Sequence, residues 1–265
     1  MRLWYQVPVI IRAEDPAFKP FFEMLQKGFE KVKRSDTEII IQSIKKGLSN
    51  LEHLNYPGFR FFNDREILRN ILRAEKENYD GVISACVFDP ALIAARQMLN
   101  IPVTGIFESA VHLAAIMGRR FAAITAELSF VPEIEHNIQK YGMRDQAISY
   151  SPVRAIPLSM GEFMACFAGD ASRVLEAFQG IAVECIKDGA EVLVVGCGLL
   201  STMLTHNGLL EVEGVPIIDP MLLGIKVGEL MVDLHKAGLP FISRKGLYFK
   251  APDQELKNVL SSRFE

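Results

Sequence analysis

The feature that most constrains this chain is a run that occurs twice. Asp80-Gly-Val-Ile-Ser-Ala-Cys86-Val-Phe-Asp-Pro90 and Gly189-Ala-Glu-Val-Leu-Val-Val-Gly-Cys197-Gly-Leu-Leu are short apolar stretches, entered through a Gly or Asp-Gly turn and closed by a cysteine. A helical pattern follows each. Continuous apolar runs of this length mark strands buried on both faces of a parallel sheet. Each cysteine is therefore expected at the C-terminal end of a strand, beside a helix N-terminus, where open α/β sheets bind ligands. The echo continues into Asn100-Ile-Pro102-Val-Thr-Gly after the first run and Gly214-Val-Pro216-Ile-Ile-Asp219 after the second. The chain thus consists of two related halves, each offering one thiol at the same structural place.

The rest of the chain alternates between strand and helix patterns. Leu3 to Ile11 reads as the first strand. Asp15-Pro16 opens a helix, Asp as cap and Pro in the first turn, with Phe18, Phe21, Phe22, Leu25, Phe29 and Val32 at helical spacing. Glu38 to Ile44 is a second strand. Leu51 to Phe62 reads as a long connection rich in aromatic residues, and Asn63 with Glu66 as a capping box for the next helix. Asp89-Pro90 and Asp219-Pro220 are read as further helix starts. Gly118-Arg-Arg120 marks the join between halves, with a strand from Phe121 to Thr125 beyond it. Ala147 to Pro157 is expected to be strand and loop, Ala171 to Lys187 an amphipathic helix, and the tail from Tyr248 to Glu265 to hold a short helical segment. This alternation implies an α/β fold of two pseudo-symmetric domains, each a mainly parallel sheet flanked by helices, facing each other across a cleft. The expected division is 1–117 plus a returning 221–265 for one domain, and 118–220 for the other.

Composition removes several classes of function. With a formal net charge of −3 over 265 residues, neither nucleic acid nor an anionic membrane is an expected partner. No apolar stretch approaches the roughly 18 residues that span a bilayer. Leu3 to Ile11 lacks a signal-type cleavage site and is interrupted by Pro8, so a cytoplasmic protein is expected. Four cysteines, at 86, 166, 185 and 197, are too few for a disulfide scaffold and lack metal-ligand spacing, so no metal is expected. The absence of a Gly-rich phosphate loop gives the same expectation for nucleotide or other cofactors: none.

What remains is thiol chemistry. A helix N-terminus favours a thiolate through its dipole and its unpaired N–H groups, and the same N–H groups can hold a carboxylate or a developing enolate oxygen. Two such thiols facing across a cleft form a device for inversion. One thiolate removes a proton from a carbon acid, and the opposite thiol returns one to the other face.

At this point the sequence resembles the aspartate/glutamate racemase superfamily, and most closely its hydantoin racemase branch. The resemblance rests on Tyr79-Asp-Gly-Val-Ile-Ser-Ala-Cys86-Val-Phe-Asp-Pro90, Gly118-Arg-Arg-Phe121-Ala-Ala-Ile-Thr125, Gly189-Ala-Glu-Val-Leu-Val-Val-Gly-Cys197 and Val215-Pro-Ile-Ile-Asp219-Pro220, and spans roughly residues 1 to 237. It implies the two-domain racemase fold, with Cys86 and Cys197 as the acid/base pair and Val87, Phe88, Gly198 and Leu199 lending backbone N–H groups to a small-molecule substrate. It also implies a homo-oligomer. Two features depart from the pattern. The usual Asn-Pro-Asn run after the first strand is Val7-Pro8-Val9 here, leaving Pro8 as the substrate contact, and the usual Thr-Thr pair is Thr125-Ala126. Phe88 and the aromatic segment from Tyr56 to Phe62 favour a substrate with an apolar side chain. The expected activity is cofactor-independent racemisation or epimerisation of a hydantoin-like cyclic ureide or an amino acid. The alternatives are a decarboxylase or cis–trans isomerase of a small dicarboxylate on the same fold, or a non-catalytic small-molecule binder.

Other chemically active residues have plainer readings. Cys185 lies on an apolar helix stripe and Cys166 among apolar neighbours, so both are read as core. Asp89 and Asp219 read as N-caps, and His206 as a surface or capping residue. Glu108 either orients substrate or complements a helix dipole. Thr125, ending a strand at the expected cleft, is a candidate substrate contact.

Overall fold

Two parallel sheets carry the chain. The computed structural model describes residues 1–10, 18–246, 248–256 and 258–259. The first half runs β1 (Arg2–Gln6), α1 (Lys19–Val32), β2 (Glu38–Gln42), a 3₁₀ turn (Leu51–Asn55), α2 (Pro57–Ile71), α3 (Arg73–Lys76), β3 (Gly81–Ser84), α4 (Leu92–Met98), β4 (Val103–Gly105) and α5 (Ile106–Met117). The second runs β5 (Phe121–Thr125), α6 (Val131–Lys140), β6 (Val153–Ala155), α7 (Met160–Ala165), α8 (Ser172–Lys187), β7 (Val192–Val195), α9 (Gly198–His206), β8 (Glu211–Val212), β9 (Val215–Ile218) and α10 (Pro220–Lys236). The Asp15-Pro16 helix start and the end of the tail, 260–265, lie outside the described residues.

The first sheet has the order β2-β1-β3-β4 and the second β6-β5-β7-β9-β8. In order of appearance, β5, β6, β7 and β9 repeat the arrangement of β1 to β4, and β8 is added as an antiparallel partner of β9. All other pairings are parallel. The repeat places each cysteine two residues beyond the third strand of its sheet: Cys86 after Ser84, Cys197 after Val195.

Period-two alternation explains why these strands have no polar face. Leu3, Tyr5 and Ile83 point into the main core, while Trp4 and Val82 point into a second cluster with Ile67, Ile71 and Leu99. In α1, Phe21, Phe22, Leu25 and Phe29 form the buried stripe that the spacing predicts. The last helix, α10, crosses back onto β3, β4 and α5. It comes close because position 224 is glycine: a Cβ there would sit 2.6 Å from the Ile106 side chain. No helix among the described residues is long and apolar enough to cross a membrane.

Several local expectations are corrected. The connection from Leu51 to Phe62 is mostly helical, because Pro57 starts α2 from a Tyr56 N-cap. Asn63 is therefore inside α2 and caps nothing. Its amide donates to the Pro8 carbonyl (2.7 Å) and accepts from the Leu48 N–H (2.9 Å), tying the loop after β1 to α2. Asp89-Pro90 does not begin a helix. Asp89 and Ala91 have φ of 46° and 57°, and α4 starts only at Leu92. Within the strand and loop expected over Ala147 to Pro157, the strand is Val153–Ala155. A short helix not anticipated, α7, carries a full capping box of Ser159 and Glu162.

Candidate active site

The ends of β3 and β7 open onto one cavity of about 80 Å³, and both Cys86 and Cys197 line it. Pro8, Val87, Phe88, Gly198 and Leu199 line it as well. Thr125 does not. It is fully buried below the cavity, where its hydroxyl donates to the Gly196 carbonyl at 2.8 Å. Residues that the sequence left unassigned complete the wall: Phe18 and Phe21, Leu54, Phe130, Met160, and Met221 from α10. Their only sequence signal was apolarity, which does not separate a cavity wall from core. Val7 and Val9 also line the cavity, so the loop after β1 offers hydrocarbon where the resembling family has amides.

Cys197 is the N-cap residue of α9, with extended backbone (φ −159°, ψ 126°). The N–H groups of Leu199, Leu200 and Ala126 favour its thiolate, although no side-chain capping hydrogen bond forms. Burial acts in the other direction and is the larger effect, so the thiol is held above its ordinary range, with the Glu127 carboxylate adding to the rise. The sequence argument from the helix dipole underestimated this desolvation.

Cys86 is placed differently. No helix begins beside it; a turn closed by the Asp89 N–H on the Cys86 carbonyl (2.9 Å) follows instead. Burial pushes this thiol well up, the Phe88 N–H pulls it down, and Asp89, Asp64 and Cys197 push it up further. The two thiols therefore share a cavity but not an environment.

The turn after Cys86 is pinned from both halves of the molecule. The Asp89 carboxylate accepts from the N–H groups of Phe107 (3.2 Å) and Glu108 (2.8 Å), capping α5 rather than α4. Glycine at 105 leaves room for it, since a Cβ there would lie 2.7 Å from the carboxylate. From the second half, the Tyr141 hydroxyl donates to Asp89 (2.8 Å) and the Asn137 amide donates to the Phe88 carbonyl (3.1 Å). The Phe88 ring packs edge-on against Phe130, 5.1 Å between centroids. Burial raises the Asp89 carboxyl to about 7, against the pull of those three donors.

The remaining candidates sit elsewhere. Glu108 forms an ion pair with Arg96 and lines a separate surface groove. Asp219 caps α10 through the Leu222 N–H (3.1 Å) and accepts from Thr205 (2.6 Å). His206 ends α9 beside α1, away from the cavity. Cys185 is buried in α8, its thiol pushed up to about 11 by desolvation, and Cys166 caps the end of α7. Among the described residues, no three His, Cys, Asp or Glu side chains converge as metal ligands.

The sequence matches the profile of the family described as Asp/Glu/Hydantoin racemase over residues 21–227. The chain belongs to that family. A hydantoin racemase from Pseudomonas sp. (strain NS671) is 31% identical over 210 residues, covering 77% of this chain and 77% of that protein. This racemase also has the fold of an allantoin racemase from Klebsiella pneumoniae (TM-score 0.76, 24% identity, 96% of this chain and 94% of that one). It matches the Pseudomonas fluorescens allantoin racemase similarly (TM-score 0.74, 22% identity, 95% and 97%). The racemase is accordingly an isomerase with a two-sheet α/β fold.

Proposed function

We propose that this racemase inverts C5 of a 5-substituted hydantoin, with Cys86 and Cys197 as the two bases. The observation that carries the reading is that both thiols line one small apolar cavity, each from the end of the third strand of its own sheet. The two sheets serve as lobes, 1–117 with the returning 221–265 and 118–220. A hydantoin fits the chemistry because its C5–H lies next to a ring carbonyl and the molecule is compact and uncharged.

In the reaction one sulfur starts as thiolate and the other as thiol. The thiolate takes the proton from C5, and the C–H electron pair moves into the adjacent C=O to give an enolate. The opposite thiol then gives its proton to the other face of C5, and the electron pair returns from oxygen to carbon. The net change is inversion, with the charge moved from one sulfur to the other and no external reactant consumed. In this reading the backbone N–H groups of Val87, Phe88, Gly198 and Leu199, which line the cavity, stabilise the enolate oxygen. The apolar wall excludes water that would compete for the proton.

The test uses Cys86→Ser and Cys197→Ser with each enantiomer of 5-isobutylhydantoin in D₂O. Both variants should lose racemisation by roughly 10²–10⁴-fold, as expected for removal of an acid/base group. Each should still exchange the C5 proton of one enantiomer above the uncatalysed rate, and the two should prefer opposite enantiomers. Loss of exchange for both enantiomers in one variant only would contradict a two-base site. CO₂ release from a malonate-type substrate would instead favour decarboxylation.

A further inference from the structure

The catalytic cavity has a neighbour. A second chamber of about 220 Å³ adjoins it, and Pro8, Leu54, Cys86 and Phe88 line both spaces. Cys197 borders only the first. A substrate whose C5 lies between the sulfurs must place its ring in the smaller, apolar space. A substituent of any length must leave that space, and the chamber on the flank of Cys86 is open to receive it.

The chamber is not apolar. Its far wall is the inner face of α2, with Arg60, Asn63 and Asp64, together with Glu133 of α6. Three of these four polar groups are already engaged. Asn63 holds Pro8 and Leu48. Arg60 forms an ion pair with Glu133 at 2.9 Å and lies over the Phe88 ring at 5.0 Å, so these two charges offset one another. Asp64 has no hydrogen-bond or ion-pair partner among the described residues. Burial raises its carboxyl to about 6, with the Arg60 and Lys140 charges opposing and Glu133 reinforcing that rise. At neutral pH the chamber therefore presents one half-buried acceptor with no hydrogen-bond donor of its own among the described residues. A half-buried carboxylate without donors is costly, and a donor supplied by a ligand offsets that cost.

Of the aromatic residues expected to favour an apolar side chain, Phe61 and Phe88 face this chamber. Tyr56, Phe59 and Phe62 are 58%, 54% and 68% exposed and do not line it.

We propose that the chamber is the subsite for the hydantoin's 5-substituent, and that Asp64 selects substituents ending in a hydrogen-bond donor, cationic ones most strongly. This inference rests on the hydantoin reading above. Asp64 is a specificity-determining residue and takes no proton from C5. Sites built to pair a polar group discriminate strongly against substrates that leave it unpaired.

Three hydantoins whose substituents share a four-carbon chain provide the test: 5-(4-aminobutyl), 5-butyl and 5-(3-carboxypropyl). For the wild-type protein, kcat/KM by polarimetry should fall in that order, with at least a tenfold span from first to last. Asp64→Asn should lower the aminobutyl-to-carboxypropyl ratio at least tenfold, and Asp64→Lys should invert the preference. Equal kcat/KM for all three substrates would overturn the subsite, as would an equal loss for all three in Asp64→Asn. Should the variants fail to fold, the wild-type span decides alone. Turnover of none of the three would defeat the hydantoin reading itself, and the subsite with it.

Discussion

Burial and backbone donors act against each other on the two cavity thiols, and the balance differs between them. Cys197 has three N–H groups in its favour and one carboxylate, Glu127, against it. Cys86 has one N–H in its favour and both Asp89 and Asp64 against it. Cys197 should therefore ionise first and act as the resting base. Because both thiols are raised, the thiolate fraction below the first ionisation climbs about tenfold per pH unit, and log kcat/KM should rise with a slope of about one between roughly pH 6 and 8. Iodoacetamide labelling followed by mass spectrometry should modify Cys197 before Cys86, and both before the core thiol Cys185. Faster labelling of Cys86, or a rate that does not change with pH, would contradict this order. The pair itself was legible as a repeated strand-cysteine run. The inequality was not, because it depends on Asp89 adopting φ 46° and leaving Cys86 beside a turn instead of a helix.

At the scale of elements, α5 and α6 meet the Cys86 turn at one buried carboxylate. Asp89 caps α5, a helix that does not contain it, and takes the Tyr141 hydroxyl from the end of α6. Three donors favour the ionised form, yet burial outweighs them and raises the carboxyl from 3.8 to about 7. An acid whose folded pKa is raised binds its proton more tightly in the native state. Its stabilising contribution is complete below the unfolded pKa and is lost as pH rises through the folded one. The wild-type advantage over Asp89→Asn in urea unfolding should thus shrink by about 4 kcal/mol between roughly pH 4 and 7.5. An advantage that grows with pH would mean that the donors win. A cap supplied from outside the helix explains why the sequence misled here: Asp-Pro before an apolar run looks like a local helix start. The same limit applies to α2, whose aromatic first turns look like a loop until Pro57 is recognised as a first-turn residue. By contrast, α1, α8 and the buried strands were legible because their apolar spacing answers directly to burial.

At the scale of the whole molecule, the cavity exists only where the two sheets meet. Its wall takes Phe18 and Phe21 from the N-cap and first turn of α1, Cys86 from the end of β3, Phe130 and Cys197 from the second half, and Met221 from the returning α10. A ligand held there contacts both sheets and binds only the native assembly, so it must stabilise the fold as a unit. A 5-alkylidene hydantoin is a suitable probe, because its C5 is planar like the enolate and carries no proton to remove. At 100 times its Kd it should add about 2.7 kcal/mol to stability, which for a chain of this size raises Tm by roughly 5–10 °C. It should also protect Cys86 and Cys197 from alkylation together, with Cys166 labelling unchanged. Protection of one cysteine without the other, at a concentration that produces the full shift in Tm, would place the ligand on one sheet alone and remove the basis for a site between them.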